Sequence, residues 1–198
     1  MNRVLPILFN TEMVRAILDG IKGSTRRIVK GFIPNDAVWG YTAFTPKGYI
    51  SCRGTFADGY GEKFFKLPCE PGNILYVRET WKKAPNGYYY YEDWQRNDIA
   101  DVTKWKPSIH MPKEAARIWL KVTDVRVERS QEITIDGIRN EGISSMAVHA
   151  GDMEIALKEW KNLWNSTIKK TDLDSYGWDA NPWVWVIEFE RCEKPEGV

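Results

Sequence analysis

Residues 20–27 read GIKGSTRR, which places one lysine, two hydroxyl side chains and two adjacent arginines in a very short span. Cations of this kind donate charge-assisted hydrogen bonds to phosphate or carbonyl oxygens. Lys22 and Thr25 stand three apart, so if a helical turn runs through them they share a face and their ammonium and hydroxyl converge. Ser24, Arg26 and Arg27 beside them would complete a donor-rich anion or carbonyl site. The same residues also read as a solvated helix end, where cations favour the helix dipole.

Other residues offer weaker chemistry. In YVRETW, residues 76–81, Glu79 could face a cleft, but adjacent strand residues point to opposite sides, so Arg78 and Glu79 cannot both line it. An internal ion pair or a solvated edge reads equally well for Glu79. His110 and His149 are the only histidines and have no cysteine or acidic spacing to complete a metal motif, so no metal is expected. Cys52, Cys69 and Cys192 form no CxxC pair, which argues against a disulfide framework and a zinc ribbon and suits a reducing cytoplasm. The run of four tyrosines at 88–91 reads as mostly structural, because alternation sends half of its rings inward.

The elements that must position these groups follow from patterning. Asn10 or Thr11 caps a helix whose apolar residues Met13, Val14, Ile17, Leu18 and Ile21 recur at helical spacing, with Gly20 and Gly23 marking its end. From there to residue 91, short strands alternate with glycine and proline turns at the spacing of a meander or small barrel. Residues 92–116 break this rhythm, and Pro107 and Pro112 oppose a regular element there, so this stretch reads as an ordered excursion. A long strand over 117–129 changes its apolar phase near Thr123 or Asp124, which predicts a bulge. Thr134 caps a short helix ending at Gly142. The segment 152–168 is a helix whose broad apolar face carries Ile155, Leu157, Trp160, Leu163, Trp164 and Ile168, a stripe read as core. The last strand, NPWVWVIEFER at 181–191, is apolar on both faces at its start and is expected inside a sheet.

Composition bounds the rest. A chain of 198 residues that is 43% hydrophobic has the makings of one folded α+β domain, 1–198, with the 92–116 excursion inserted. A net charge of +1 excludes a general polycationic field, so any nucleic-acid contact must come from a local patch. The opening MNRVLPILFN has neither the length nor the cleavage site of a signal peptide, and no later run suits a membrane helix. A cytoplasmic protein with no membrane partner is expected.

The combination GIKGSTRR, EPGNILYVRETW, IWLKVTDVRVER and NPWVWVIEFER resembles the ASCH domain family, small proteins with a PUA-like β-barrel and flanking helices. KPSIHMP and the closing strand are similar to a longer subgroup often encoded in phages and prophages, while PKEAAR at 112–117 departs from its more aromatic text. The resemblance implies a cofactor-free cleft around a GxKxxTxR motif and two uses for it. As a binding protein for RNA or a modified nucleoside, it would set Lys22, Arg26 and Arg27 against phosphates or base edges and stack Trp81 on a base. As an amidohydrolase similar to the small bacterial enzymes that deacetylate acetylcytidine, it would use Thr25 as nucleophile and Lys22 as base. Glu141 would orient water or hold the lysine, with Glu79 as the substitute carboxylate. A third use is a phage-encoded interaction module whose 92–116 insert contacts a protein partner.

Overall fold

The computed structural model describes residues 3–96 and 104–197, so part of the 92–116 excursion lies outside the described residues. The chain opens with β1 (Val4–Leu8), α1 (Thr11–Leu18) and β2 (Ser24–Ile28), followed by β3 (Val38–Gly40), β4 (Tyr49–Phe56) and β5 (Gly59–Lys66). Next come β6 (Ile74–Arg78), β7 (Trp81–Ala84), β8 (Gly87–Tyr90) and α2 (Tyr91–Arg96). The second half holds β9 (Trp119–Arg129), α3 (Ile135–Asn140), α4 (Met146–Ala150), α5 (Met153–Thr167), α6 (Leu173–Tyr176) and β10 (Trp183–Cys192).

These elements form a mixed α+β structure around a five-stranded sheet of order β1-β6-β9-β10-β2. The strands β3-β4-β5 and β7-β8 make two further sheets. The barrel expected from strand spacing is not closed by backbone ladders among the described residues, because β1 and β2 remain edges of the large sheet. Pro6 lies in β1 without an N–H to offer a second neighbour, which suits an edge. A side chain spans the gap instead: Arg27 on β2 donates from Nη2 to the Leu8 carbonyl on β1 at 2.8 Å.

The closing strand β10 lies inside the sheet between β9 and β2, and its two apolar faces feed two cores. Trp185, Ile187 and Phe189 join Val14, Ile17 and Leu120 in the main core, while Val184 and Val186 pack with Ile138, Trp160 and Trp164 under the helices. The bulge falls where the apolar phase changes: Glu188 faces Asp124 and Phe189 faces Val122, leaving Thr123 as the extra residue.

Two expectations need correction. Ile155, expected on the apolar face of α5, is 50% exposed, and the buried residues of that helix are Ala156, Trp160 and Trp164. Pro107 and Pro112 do not exclude regular elements from the ordered excursion but start them: a 3-10 turn follows each, at Ser108–His110 and Lys113–Ala115. Proline costs nothing at such a start, where its missing N–H would have no partner anyway. Fully buried Met111 and Ala115, with Trp81, anchor this segment to the body.

Candidate functional site

The site begins at the end of α1. Asn10 caps its start by accepting from the Met13 amide, and Gly20, at φ 74°, ends it in a left-handed turn. The Gly20 amide reaches the Ile17 carbonyl and the Ile21 amide reaches the Ala16 carbonyl, the paired bonds of a Schellman cap. The helical turn expected to carry Lys22 and Thr25 on one face therefore does not exist. Lys22 lies in the loop and Thr25 in β2.

What positions Lys22 is the end of α3. Thr134 caps that helix, whose Asn140 carbonyl accepts from the Gly23 amide at 2.9 Å, so the loop after α1 is stitched to it. Gly142 then turns the chain at φ 101°, and a Cβ there would stand 2.8 Å from the Ala16 Cβ. This close approach aims Glu141 back at the loop. Lys22 Nζ donates to Glu141 Oε2 at 2.9 Å and to the Glu141 carbonyl at 2.8 Å, while Arg26 Nη1 donates to Oε1 at 3.1 Å. All three side chains are at most 4% exposed.

Burial pushes the Lys22 ammonium below its ordinary 10.5; Glu141 opposes this, and the positive charges of Arg27 and Arg26 reinforce it. Arg26 also reaches Glu128 at 3.2 Å, so one carboxylate is shared by two cations and one of those cations by two carboxylates. Thr25 is buried at 5% exposure, and among the described residues its hydroxyl makes no hydrogen bond to the protein.

Because β2 is an edge strand, side chains from both of its faces can reach the space beside it. Thr25 and Arg27 stand opposite Ile187 and Trp185 of the main core, whereas Arg26 stands opposite Val186 of the helical core. All three line one cavity of about 220 Å³ together with Lys22 and Glu141. The same cavity is lined by Phe9, Trp160 and Trp164, with Met13 and Leu163. Lys22 Nζ lies 5.5 Å from the Phe9 ring centre, as does the Arg27 guanidinium carbon. A donor-rich wall facing aromatic rings suits a flat ligand that carries acceptor oxygens or nitrogens.

The structure does not bring the remaining sequence candidates to this cavity. Glu79 is buried in a bidentate pair with Arg117, at 2.9 Å for both bonds, and Arg117 continues to Asp93 at 2.7 Å. Burial raises the Glu79 carboxyl above its usual range, against the pull of Arg117. Trp81 is 5% exposed and packs with Met111 and Ala115, so its ring is not presented for stacking. Ser24 points to a separate polar cavity of about 250 Å³ lined by Glu128, Thr134 and Arg126, and its hydroxyl has no partner there.

The tyrosine run divides, with Tyr88, Tyr89 and Tyr90 in β8 and Tyr91 opening α2. His110 and His149 are exposed, and among the described residues no three His, Cys, Asp or Glu side chains gather as a metal site. Sequence reasoning missed Phe9 and the double role of Trp160 and Trp164, which serve as both core and cavity wall. The available signal was Thr167 continuing the Trp160, Trp164 stripe with a polar group, and Thr167 lines the same cavity.

The crystal structure of an ASCH domain from Lactobacillus crispatus JV V101 is similar to this chain over 96% of its length and 79% of that domain's, with 9% sequence identity and a TM-score of 0.39. No protein-family model matches the sequence, and no curated protein matches it. Among the described residues no helix is long and apolar enough to cross a membrane.

Proposed function

We propose that this chain is an ASCH-type, PUA-like protein whose cavity binds one nucleoside unit, free or carried by RNA. The observation that supports this reading is the convergence of Lys22, Thr25, Arg27 and Glu141 with Phe9, Trp160 and Trp164 around one cavity of about 220 Å³. That volume lies below the usual range for drug-sized ligands, and it suits a base and part of its sugar better than a length of strand. The polar wall offers hydrogen bonds to base or sugar oxygens and the aromatic wall offers a surface for the ring.

The test is titration of cytidine and acetylcytidine into the protein, read by the fluorescence of the cavity tryptophans. Saturable binding by wild type, lost in Thr25→Val at unchanged thermal stability, supports the reading. Binding that Thr25→Val leaves intact would place the ligand elsewhere.

A second reading, amide hydrolysis of an acylated cytidine-like nucleoside, is favoured by the lowered proton affinity of Lys22, which lines the same cavity as Thr25, whose hydroxyl has no hydrogen-bond partner among the described residues. The neutral Lys22 amine takes the Thr25 proton, and Oγ1 attacks the acyl carbon. The carbon–nitrogen bond breaks as Lys22 returns that proton to the leaving amine. Water then cleaves the threonine ester, releasing a carboxylic acid, with Lys22 again accepting and returning the proton. Glu141 holds Lys22 throughout.

Chromatography of acetylcytidine incubated with the protein tests this. Cytidine formed by wild type and not by Lys22→Met is the expected result, with a rate that rises with pH as Lys22 loses its proton below 10.5. Equal turnover by that variant would remove Lys22 from the base role.

A further inference from the structure

Six of the ten large apolar side chains exposed among the described residues fall between residues 30 and 66, in and around the β3-β4-β5 sheet. One face of this sheet is committed to the interior: Ile50, Trp39 and Phe65 belong to the main core, and Cys52 and Phe56 are buried. The other face is open. Along β5 it presents Tyr60, Glu62, Phe64 and Lys66 in alternation, opposite Thr55, Arg53, Ser51 and Tyr49 of β4. Tyr60 is 75% exposed and Phe64 38%. Among the described residues β5 pairs only with β4, so its outer edge is unpaired there as well.

The charges on and around this face are sorted. Every carboxylate of the unit is engaged internally: Glu62 by the Ser51 hydroxyl, Asp36 by the Thr55 hydroxyl at 2.7 Å, and Asp58 by Lys63 at 3.4 Å. Arg53 and Lys66 are exposed and have no carboxylate partner among the described residues. Arg53 stands across from Glu62, at the level between the two rings, and Lys66 lies one step past Phe64, while the Glu62 carboxylate accepts from Ser51. Four strand residues at about 3.3 Å each separate the rings by roughly 13 Å, so they do not merge into one continuous apolar patch of the kind a protein partner buries. Separated rings with cations beside them are what a single strand requires, since every base has a face to stack and every phosphate a charge to meet.

We propose that the outer face of the β4–β5 hairpin is a platform for single-stranded nucleic acid, with Tyr60 and Phe64 stacking on bases and Arg53 and Lys66 meeting phosphates. It is separate from the nucleoside cavity and does not depend on that reading.

The test is fluorescence anisotropy of labelled oligouridine and oligothymidine of about a dozen nucleotides, long enough for one such site. Wild type binds at low salt. Tyr60→Ala and Phe64→Ala each weaken binding about 5- to 150-fold, the loss of one stacked base. Lys66→Ala lowers the salt slope by about 0.7, the value of one single-strand phosphate contact. Tyr60 is 75% exposed, so in Tyr60→Ala the thermal midpoint stays put and cytidine binding in the cavity is unchanged. Binding of both oligomers or of the RNA alone supports the platform and decides whether the 2′-hydroxyl is read.

No binding by wild type overturns the proposal, as does equal binding by the alanine variants. Self-association in sedimentation that Phe64→Ala abolishes while oligouridine binding persists would show a second copy covering this face, and would also overturn it.

Discussion

Replacing Glu141 by Gln tests the electrostatic arrangement of the site and has a magnitude that follows from the geometry. Glu141 is the common partner of Lys22 at 2.9 Å and Arg26 at 3.1 Å, and the three side chains are 4%, 1% and 3% exposed in that order. Removing the carboxylate charge leaves two buried cations facing a neutral amide, whose one oxygen replaces the two that held them separately. Breaking a buried ion pair in this way costs about 3 to 5 kcal/mol. For a chain of this size that lowers the melting temperature by about 6 to 20 °C.

The pH dependence carries more information than the loss itself. In wild type the Lys22 pKa is lowered, so between that value and 10.5 the folded state holds fewer protons than the unfolded one and stability rises with pH. Glu141 is the main influence opposing the shift, so in Glu141→Gln the Lys22 pKa falls further and the rise begins at lower pH. The deficit of the variant is therefore greatest where Lys22 is charged in both proteins, and it shrinks as pH increases. Thermal melts of both proteins at neutral pH and in mild alkali measure this. A deficit under 1 kcal/mol, or one that grows with pH, would refute the argument.

Three further outcomes follow from the same structure. Gly142→Ala places a Cβ at φ 101° against Ala16 and should cost about 1 to 3 kcal/mol in a denaturant titration, while weakening cytidine binding by displacing Glu141. Glu79→Gln breaks the pair with Arg117 and should cost about 1.5 to 3 kcal/mol, yet leave cytidine affinity unchanged because Glu79 does not line the cavity. Burial pushes the Cys52 and Cys69 thiols up to about 11, so both should resist a thiol reagent at neutral pH until urea is added; immediate labelling of either would contradict their burial.

The fold was legible where local chemistry decides it. Asn10, Gly20 and Thr134 mark helix ends that the structure keeps, and the phase change between Val122 and Val125 is the bulge. The double apolar pattern of β10 gave its place inside the sheet, because each face meets a separate core.

The site was legible only as a motif. Lys22 and Thr25 do not share a helical face, since the cap at Gly20 ends the helix first, and their convergence comes from an edge strand that composition does not reveal. The partnership of Lys22 and Glu141 spans 119 residues and depends on Gly142 fitting against Ala16. Glu79 and Glu141 are alike as buried carboxylates, and only the fold separates the one held by Arg117 from the one held by Lys22. Trp160 read as core because it is core; its second face becomes a cavity wall only because β2 leaves open space beside it.

Whether the cavity between β2 and α5 receives a nucleoside is read in a crystal structure of the protein grown with acetylcytidine. The expected density is the nucleoside or its deacylated product beside Trp160 and Trp164, with an oxygen within hydrogen-bond distance of Lys22 or Thr25. A nucleoside bound instead at Trp81 or against the Glu79–Arg117 pair, with the cavity empty, would contradict the proposal.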